Sequence, residues 1–255
     1  MHANGLRFSI SAHSAWAPGI TSPGEWEEWA KAPFRIGEGA DPALRAMPAM
    51  LRRRAGFLGK MALEVAYACL EGRTGVPTVF CSRHGEVARA VDLLGELAAG
   101  QALSPTGFGL AVHNASAGLF SIARADRANH IALAGAAATI EHGVLEACGL
   151  LADGAAEVLL VAYDCPLPEP LARFEDVDEQ PYAWAWLMTG AAQEVFSLTL
   201  AAASDPASGP AHSDAPGDEH GSMPAGLAVL RFQLSGAARH EHISGAQRWT
   251  WARDV

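Results

Sequence analysis

The side chains with the clearest chemical potential are cysteines and histidines, and two of them lie close together in the sequence. Cys81 and His84 are three residues apart at the end of an apolar run, and His142 lies farther along the chain. A thiol beside an imidazole can act as a nucleophile in acyl transfer or thioester hydrolysis. The alternative is that Cys81 is a buried strand-end residue and that His84 belongs to a loop or cap. Cys148, in the middle of a predicted helix, is expected to serve packing.

The four cysteines as a set argue against a disulfide framework or a metal site. Cys69, Cys81, Cys148 and Cys165 are scattered without CxxC spacing, and no pair of histidines lies near them. This pattern fits reduced, mostly buried thiols. The histidines and acidic residues at positions 212–220 are irregularly spaced in a Pro- and Gly-rich segment, which is typical of a polar loop. We therefore expect no metal and no cofactor.

Length and composition describe a compact protein that builds its own hydrophobic core. The chain has 255 residues, of which 50% are apolar and 18% are charged, and this length fits one domain, with or without a tail. A net charge of −10 at pH 7 argues against nucleic acid or an anionic membrane surface as a partner. Apolar runs fall short of the roughly 18 to 20 residues that cross a bilayer. The N-terminus lacks a secretion pattern, so we expect a cytoplasmic protein.

Hydrophobic patterns predict strands and helices in turn along most of the chain. Strands are predicted at residues 6–15, 76–82, 130–135, 157–163, 182–189, 194–203 and 227–235, and helices at residues 25–31, 54–70, 86–99, 114–123 and 139–152. Strands that alternate with helices indicate an α/β fold, in which helices flank a layered mixed β-sheet.

One segment interrupts this alternation. Residues 204–224 are Ser, Asp, Pro, Gly and His with almost no large apolar residues, which predicts a flexible loop or linker. We therefore divide the chain into a main domain at residues 1–203, this linker, and residues 225–255 with one additional strand and a C-terminal tail.

The most informative pattern lies at residues 103–164. Its pieces, in order, are Ser104-Pro105, Phe108, Asn114, Ala117-Gly118, a strand to Gly135, and Gly154-Ala-Ala-Glu157 running into VLLVAYD. This order and spacing resemble the central block of β-ketoacyl synthases. PxxLRRR at residues 48–54, VFCSRHGE at 79–86 and SPTGFGLAVHNASAG at 104–118 are similar to shortened β-ketoacyl synthase-like proteins of aryl polyene pathways. Those proteins are regarded as chain-length-factor-type partners of a ketosynthase.

The resemblance implies a single thiolase-type half and a missing nucleophile. Residues 1–203 would form this β-ketoacyl synthase-like N-terminal domain, because the chain is too short for the second half of the duplicated thiolase fold. The family mounts its cysteine at a strand-to-helix turn, where the helix N-terminus favours the thiolate. Aligned from Gly154, that position is Ala137, and a methyl group cannot be acylated. The histidine segments of the family's second half are also absent, so no catalytic residue is expected.

The resemblance further implies a heterodimer with an active ketosynthase. The strand that would pair with the partner consists of His130, Ile131, Ala132, Leu133, Ala134 and Gly135. The residues that would reach the partner's acyl tunnel are Gly107, Phe108, Ala111, Val112 and Asn114. An acidic acyl carrier protein could contact Arg52, Arg53 and Arg54, although a solvated helix start or structural ion pairs would explain these arginines too.

Two other functions remain open from the sequence. The first is an independent acyl-transfer or thioesterase-like enzyme that uses Cys81. The second is a scaffold that docks a carrier protein and has no role in a tunnel.

Overall fold

One mixed β-sheet organises the chain. The computed structural model describes residues 5–203 and 222–254, and eight strands within these ranges form the sheet in the order β3-β2-β4-β5-β1-β6-β8-β7. The strands are β1 (Leu6–Trp16), β2 (Thr78–Cys81), β3 (His130–Leu133), β4 (Glu157–Asp164), β5 (Tyr182–Gly190), β6 (Val195–Ala202), β7 (Arg239–Ser244) and β8 (Gln247–Asp254). Strands β3, β2 and β4 run parallel, and the other pairs are antiparallel.

Helices cover both faces of the sheet. They are α1 (Pro23–Lys31), α2 (Ala49–Arg52), α3 (Phe57–Leu70), α4 (Val87–Ala98), α5 (Pro105–Gly109), α6 (Ala115–Arg124), α7 (Thr139–Ala152) and α8 (Ala225–Ser235). Side chains of α1, α7 and α8 pack in one core on one face, and those of α3 and α6 pack in a second core on the other. The predicted α/β fold with a layered mixed sheet is therefore confirmed.

Strand β4 shows why the central strands read as unbroken apolar runs. Its side chains alternate between the two cores: Val158 and Leu160 join the α7 side, whereas Leu159 and Val161 join the α3 side. Successive side chains of a strand point to opposite faces. Both faces are covered here, so every position of β4 after the partly exposed Glu157 is buried, and the usual apolar–polar alternation disappears.

One predicted strand is wrong. Residues 227–235 lie in helix α8, whose buried face includes Leu227, Leu230 and Phe232. A short apolar run does not distinguish a buried strand from a buried helix by its periodicity. Gly226 lets the start of the helix lie close to Tyr182, and the helix ends at Gly236, which has a φ of 70°.

The C-terminal residues also differ from the predicted tail. Strands β7 and β8 form a hairpin, and β8 pairs along its whole length with β6, so these residues extend the main sheet. The predicted linker at residues 204–224 lies outside the described residues except for its last three positions.

Candidate functional site

Ala137 lies where the parallel strands end and α7 begins. A short 3-10 turn, Ala136–Ala138, joins β3 to α7. The turn is held by Thr139, whose Oγ1 accepts from the N–H of Gly135 at 2.9 Å and donates to the carbonyl of Ala136 at 2.7 Å. Ala136 has a φ of 51°, a left-handed conformation that costs a non-glycine residue about 1 to 2 kcal/mol. The tight strand-to-helix turn is thus present, and its side chains are methyl groups.

A cavity of about 840 Å³ opens beside this turn. Ala136 and Ala137 form part of its wall, and α8 and β7 contribute Arg231, Phe232, His240 and His242. The wall also includes Arg83, Asp164, Asp176 and Glu179 from the ends and connections of the parallel strands. In open α/β sheets, ligand sites typically lie at the carboxyl ends of the strands. The cavity therefore occupies the edge where a site is expected, although no nucleophile stands at Ala137.

Asp164, the last residue of β4, organises the polar wall of the cavity. Its Oδ1 accepts from the hydroxyl of Ser82 at 2.8 Å and from the backbone N–H of Arg83 at 2.9 Å, and the N–H of His84 lies 3.3 Å away. Burial raises the pKa of Asp164 to about 6, against the opposing effect of these hydrogen bonds; the charge of Glu179 raises it further. The carboxylate thus fixes the turn between β2 and α4 to the end of β4.

A second buried carboxylate, Glu179, ties the loop after β4 to the same turn. Its Oε1 lies 3.3 Å from Nε2 of His84 and 3.4 Å from the guanidinium of Arg83. Arg83 also makes a bidentate pair with Asp176, at 2.6 and 2.7 Å, a geometry typical of strong arginine–carboxylate pairs. This cluster could not be read from the sequence, because its two parts, Arg83 with His84 and Asp164 with Glu179, lie 80 or more residues apart along the chain.

Glu141 is a third carboxylate that the sequence analysis missed. It lies in the first turn of α7 and is fully buried; its Oε1 lies 2.8 Å from Nδ1 of His242 and accepts from Nε1 of Trp251 at 3.3 Å. Its Oε2 is buried without a hydrogen-bond partner in the described residues. The pair fastens α7 to the C-terminal hairpin, and nothing in the local sequence around Glu141 signals a partner 101 residues away.

Cys81 is not placed to act as a nucleophile. The residue is fully buried, and burial raises the pKa of its thiol well above the usual value, so the thiolate is disfavoured. Its sulfur lies against α7 at Gly143, whereas the ring of His84 is turned to Glu179. Cys148 is partly buried, and burial raises the pKa of its thiol to about 12. The structure therefore gives no support to a catalytic thiol at Cys81.

The predicted tunnel residues lie on a short helix and the turn that follows it. Ser104 caps α5 by accepting from the N–H of Gly107 at 3.2 Å, and this cap presents Phe108 to solvent with 66% of its surface exposed. Val112 and Asn114 are also exposed, and Ala111 is partly buried. These positions form one exposed, largely apolar projection.

The predicted pairing strand lies at an edge of the sheet. Strand β3 comprises His130, Ile131, Ala132 and Leu133, and it pairs with β2 alone; Ala134 and Gly135 lead into the turn. The carbonyls of Asn129 and Leu133 accept hydrogen bonds from β2 residues. Because the backbone alternates along a strand, the N–H of Ala132 points to the open side.

The predicted arginine cluster is partly engaged in hydrogen bonds within the chain. Arg52 donates to the carbonyl oxygens of Ala43 and Leu44, at 3.4 and 3.1 Å, so its side chain already binds the protein's own backbone. Arg45, Arg52, Arg53 and Lys60 line a basic concavity of about 410 Å³. Arg54 offers its backbone carbonyl to Arg89 of α4.

Two absences concern the described residues alone. Within residues 5–203 and 222–254, no group of three or more His, Cys, Asp and Glu residues is arranged to hold a metal ion. Over the same ranges, the helices are too short or too polar to cross a membrane.

The chain resembles known ketosynthase structures over nearly its whole length. A chain of the ketosynthase in complex with its chain length factor from Xenorhabdus doucetiae is similar at 25% identity and a TM-score of 0.82, and the match covers 97% of this chain and 100% of that one. A chain of the ishigamide ketosynthase/chain length factor is similar at 14% identity and a TM-score of 0.72, over 98% and 99% of the two chains. A β-ketoacyl synthase from Burkholderia phymatum STM815 is similar at 12% identity and a TM-score of 0.58, over 91% and 71%.

These likenesses confirm the predicted fold as a thiolase-type ketosynthase half. Comparison with curated protein sequences finds no significant match. The family described as β-ketoacyl synthase, N-terminal domain, matches residues 26–252. The chain belongs to the β-ketoacyl synthase N-terminal domain family.

Proposed function

We propose that this chain is a non-catalytic, chain-length-factor-type subunit. It pairs with an active ketosynthase and shapes that partner's acyl tunnel in a pathway of the aryl polyene, polyketide or fatty-acid type. The observation that carries the proposal is the methyl group of Ala137 at the strand-to-helix turn beside the cavity. A subunit without a nucleophile at this position contributes through shape and contact.

The two ends of the sheet differ in a way that favours pairing at β3. Strand β7, at one end, carries Arg239, which lies 2.6 Å from Glu241 on the same strand. Charged side chains on an edge strand oppose the addition of a further strand. Strand β3, at the other end, has the sequence HIAL with an open backbone edge. The uncharged Ile131, Ala132 and Leu133 leave this edge suited to a partner strand.

The exposed projection formed by Phe108 and Val112 suits a role in the partner's tunnel. Each is a large apolar side chain held out of the protein's own core. Burying a further methylene of an acyl chain is worth about 0.8 kcal/mol only while space remains, and overfilling a packed space reverses the sign. Side-chain volume at Ala111 and Val112 would therefore limit the length of the growing chain.

Known complexes support the same assembly. The similar structure from Xenorhabdus doucetiae is a ketosynthase in complex with its chain length factor, and another is the ishigamide ketosynthase/chain length factor. The matched chains are covered at 100% and 99% by this one. A contact between the basic concavity at Arg52 and Arg53 and an acyl carrier protein is a further part of the proposal.

The tunnel role is tested with the reconstituted pair. The chain is co-expressed with an active ketosynthase from the same genome, and Val112→Phe is compared with wild type. The variant should shorten the product, measured by mass spectrometry of the released acyl chains, because the larger ring fills the tunnel. Leu200→Phe, an equal kind of enlargement at an exposed position on β6, should leave the product unchanged.

The pairing edge is tested with Ala132→Pro. Proline removes the outward N–H, which is tolerated at a free strand edge, so the isolated chain should fold as wild type by circular dichroism. Co-purification with the ketosynthase should be lost. An unaltered complex from this variant, or an unaltered product from Val112→Phe, would overturn the corresponding part of the proposal.

A further inference from the structure

Helix α4 presents the centre of its apolar face to water. Val87, Val91, Leu94 and Leu97, named here the α4 stripe, follow the spacing of one helix face. No residue of α4 is buried, and Leu94 and Leu97 are 63% and 58% exposed. At 100° per residue, Leu94 lies near the middle of this face, so the most apolar part of the helix has no cover.

Side chains of α4 attach the helix to the rest of the protein. Arg89 donates to the backbone carbonyl of Arg54 at 3.3 Å and lies 3.8 Å from Glu86, and Leu93 lies beside α5 near Gly107. A helix of this length is marginal in water by itself, and packing of an apolar face normally stabilises it. Here Arg89 and Leu93 attach the helix to the protein. Val87 and Val91 are partly buried, whereas Leu94 and Leu97 in the second half of the α4 stripe are exposed.

The α4 stripe adjoins the projection that carries Phe108. Helices α4 and α5 contact each other, and Phe108 on α5 is 66% exposed. Two neighbouring helices thus expose large apolar side chains next to one another. Adjoining apolar surface of this kind marks a protein interface.

We infer that the α4 stripe is a second arm of the contact with the ketosynthase subunit and is covered by an apolar surface of that partner. The inference rests on the proposed function, since Phe108 and Val112 belong to the surface through which the partner would bind. An acidic carrier protein is a poor fit, because the centre of the stripe carries no cation and the basic concavity lies at Arg45, Arg52 and Arg53.

The test compares three variants of the full chain. Leu94→Glu and Leu97→Glu should each weaken the complex with the co-expressed ketosynthase, raising the dissociation constant about 10- to 100-fold, the range for losing one buried leucine. Leu200→Glu makes the same change at an exposed position on β6 and should bind as wild type. Analytical ultracentrifugation or biolayer interferometry gives the constants.

A measurement without substitutions accompanies these variants. Hydrogen exchange of the backbone amides of α4 should slow when the ketosynthase is added to the wild-type chain, because a covered helix opens less often. Unchanged exchange in α4 within a formed complex, or wild-type affinity of both glutamate variants, would overturn the inference.

Other results separate this inference from the proposed function. If Ala132→Pro abolishes the complex while both α4 variants bind normally, the inference fails and the proposed function stands. If the wild-type chain forms no complex, the proposed function fails, and the inference fails with it. A homodimer of the isolated chain that Leu94→Glu dissociates would assign the stripe to a second copy and overturn the inference.

Discussion

Asp164 shows how a single residue holds the candidate site together. The carboxylate is almost fully buried and is surrounded by donors from Ser82, Arg83 and His84, so it replaces water with hydrogen bonds from the turn after β2. Those hydrogen bonds do not fully offset the cost of burying the charged carboxylate, since the pKa of Asp164 is raised. The residue therefore makes stability depend on pH.

The sign of this dependence follows from the shift. The pKa of Asp164 rises from 3.8 to about 6 on folding, so the folded chain binds this proton more tightly than the unfolded chain. The stabilisation that this proton gives to the folded chain is fully present below about pH 4. It is lost as the pH rises to about 6. Urea unfolding should show the free energy of unfolding of wild type falling over this window relative to Asp164→Asn.

A control separates this effect from general charge changes. Asp153 is exposed at the end of α7, and Asp153→Asn should follow wild type across the same pH range. Parallel curves for wild type and Asp164→Asn would show that Asp164 does not titrate as described.

Substitution of His242 should lower the free energy of unfolding of the chain. His242→Ala removes a hydrogen-bond partner of the fully buried Glu141, and leaving a buried polar group without its partner typically costs about 1 to 3 kcal/mol. Glu241→Ala, at the neighbouring exposed position, should cost no more than about 1 kcal/mol. Denaturant unfolding measures both; equal small losses would mean that the Glu141 pair does not stabilise the hairpin.

At the scale of elements, α7 is shaped by the strands below it. A methyl group at Gly143 would collide with the sulfur of Cys81 and meet Leu160 at 3.1 Å, whereas Gly149, two turns later, faces open space. The glycine at 143 thus lets the helix lie close to β2 and β4. Gly149 makes no such close approach to another element.

Substituting the two glycines separates packing from helix propensity. Gly143→Ala should destabilise the chain by about 1 to 3 kcal/mol through overpacking, and Gly149→Ala should stabilise it by about 0.5 to 1 kcal/mol through backbone entropy. Thermal unfolding followed by circular dichroism gives both values. Shifts of the same sign would contradict the close approach of α7 to Cys81.

The elements also show what the sequence could predict. Strands β4 and β5 and helices α3 and α7 carry long apolar patterns, and their positions are confirmed to within a few residues. The run at residues 227–235 failed because tertiary contacts with Tyr182 and Trp184 select a helix where local pattern is ambiguous. The β7–β8 hairpin was missed because β7 contains few apolar residues, although Trp249 and Trp251 alternate with Thr250 in β8 and are a short strand signal.

Part of the candidate site could be predicted from the sequence, and part could not. Spacing back from Gly154 places Ala137 at a strand-to-helix turn, and the structure has such a turn there. The VLLVAYD run ends in Asp164, and a carboxylate closing an apolar strand is a signal that could have been read. Glu141 and His242 gave no such signal, because only the folded sheet brings them together.

At the scale of the whole molecule, the C-terminal residues close the fold around α7. The ring of His142 packs edge-on against Trp249 with centroids 5.4 Å apart, and Glu141 is held by His242 and Trp251. Helix α8 covers the same face. Within the described residues, β4 and β5 are covered on both faces, while the β3 edge and the side chain of Phe108 are exposed.

The most direct test of the central claim is acylation of the reconstituted pair. The chain and an active ketosynthase from the same genome are purified as a complex, incubated with an acyl thioester, and measured subunit by subunit by intact mass spectrometry. The account predicts an acyl adduct on the ketosynthase and none on this chain, because Ala137 offers a methyl group. An acyl adduct on this chain would contradict it.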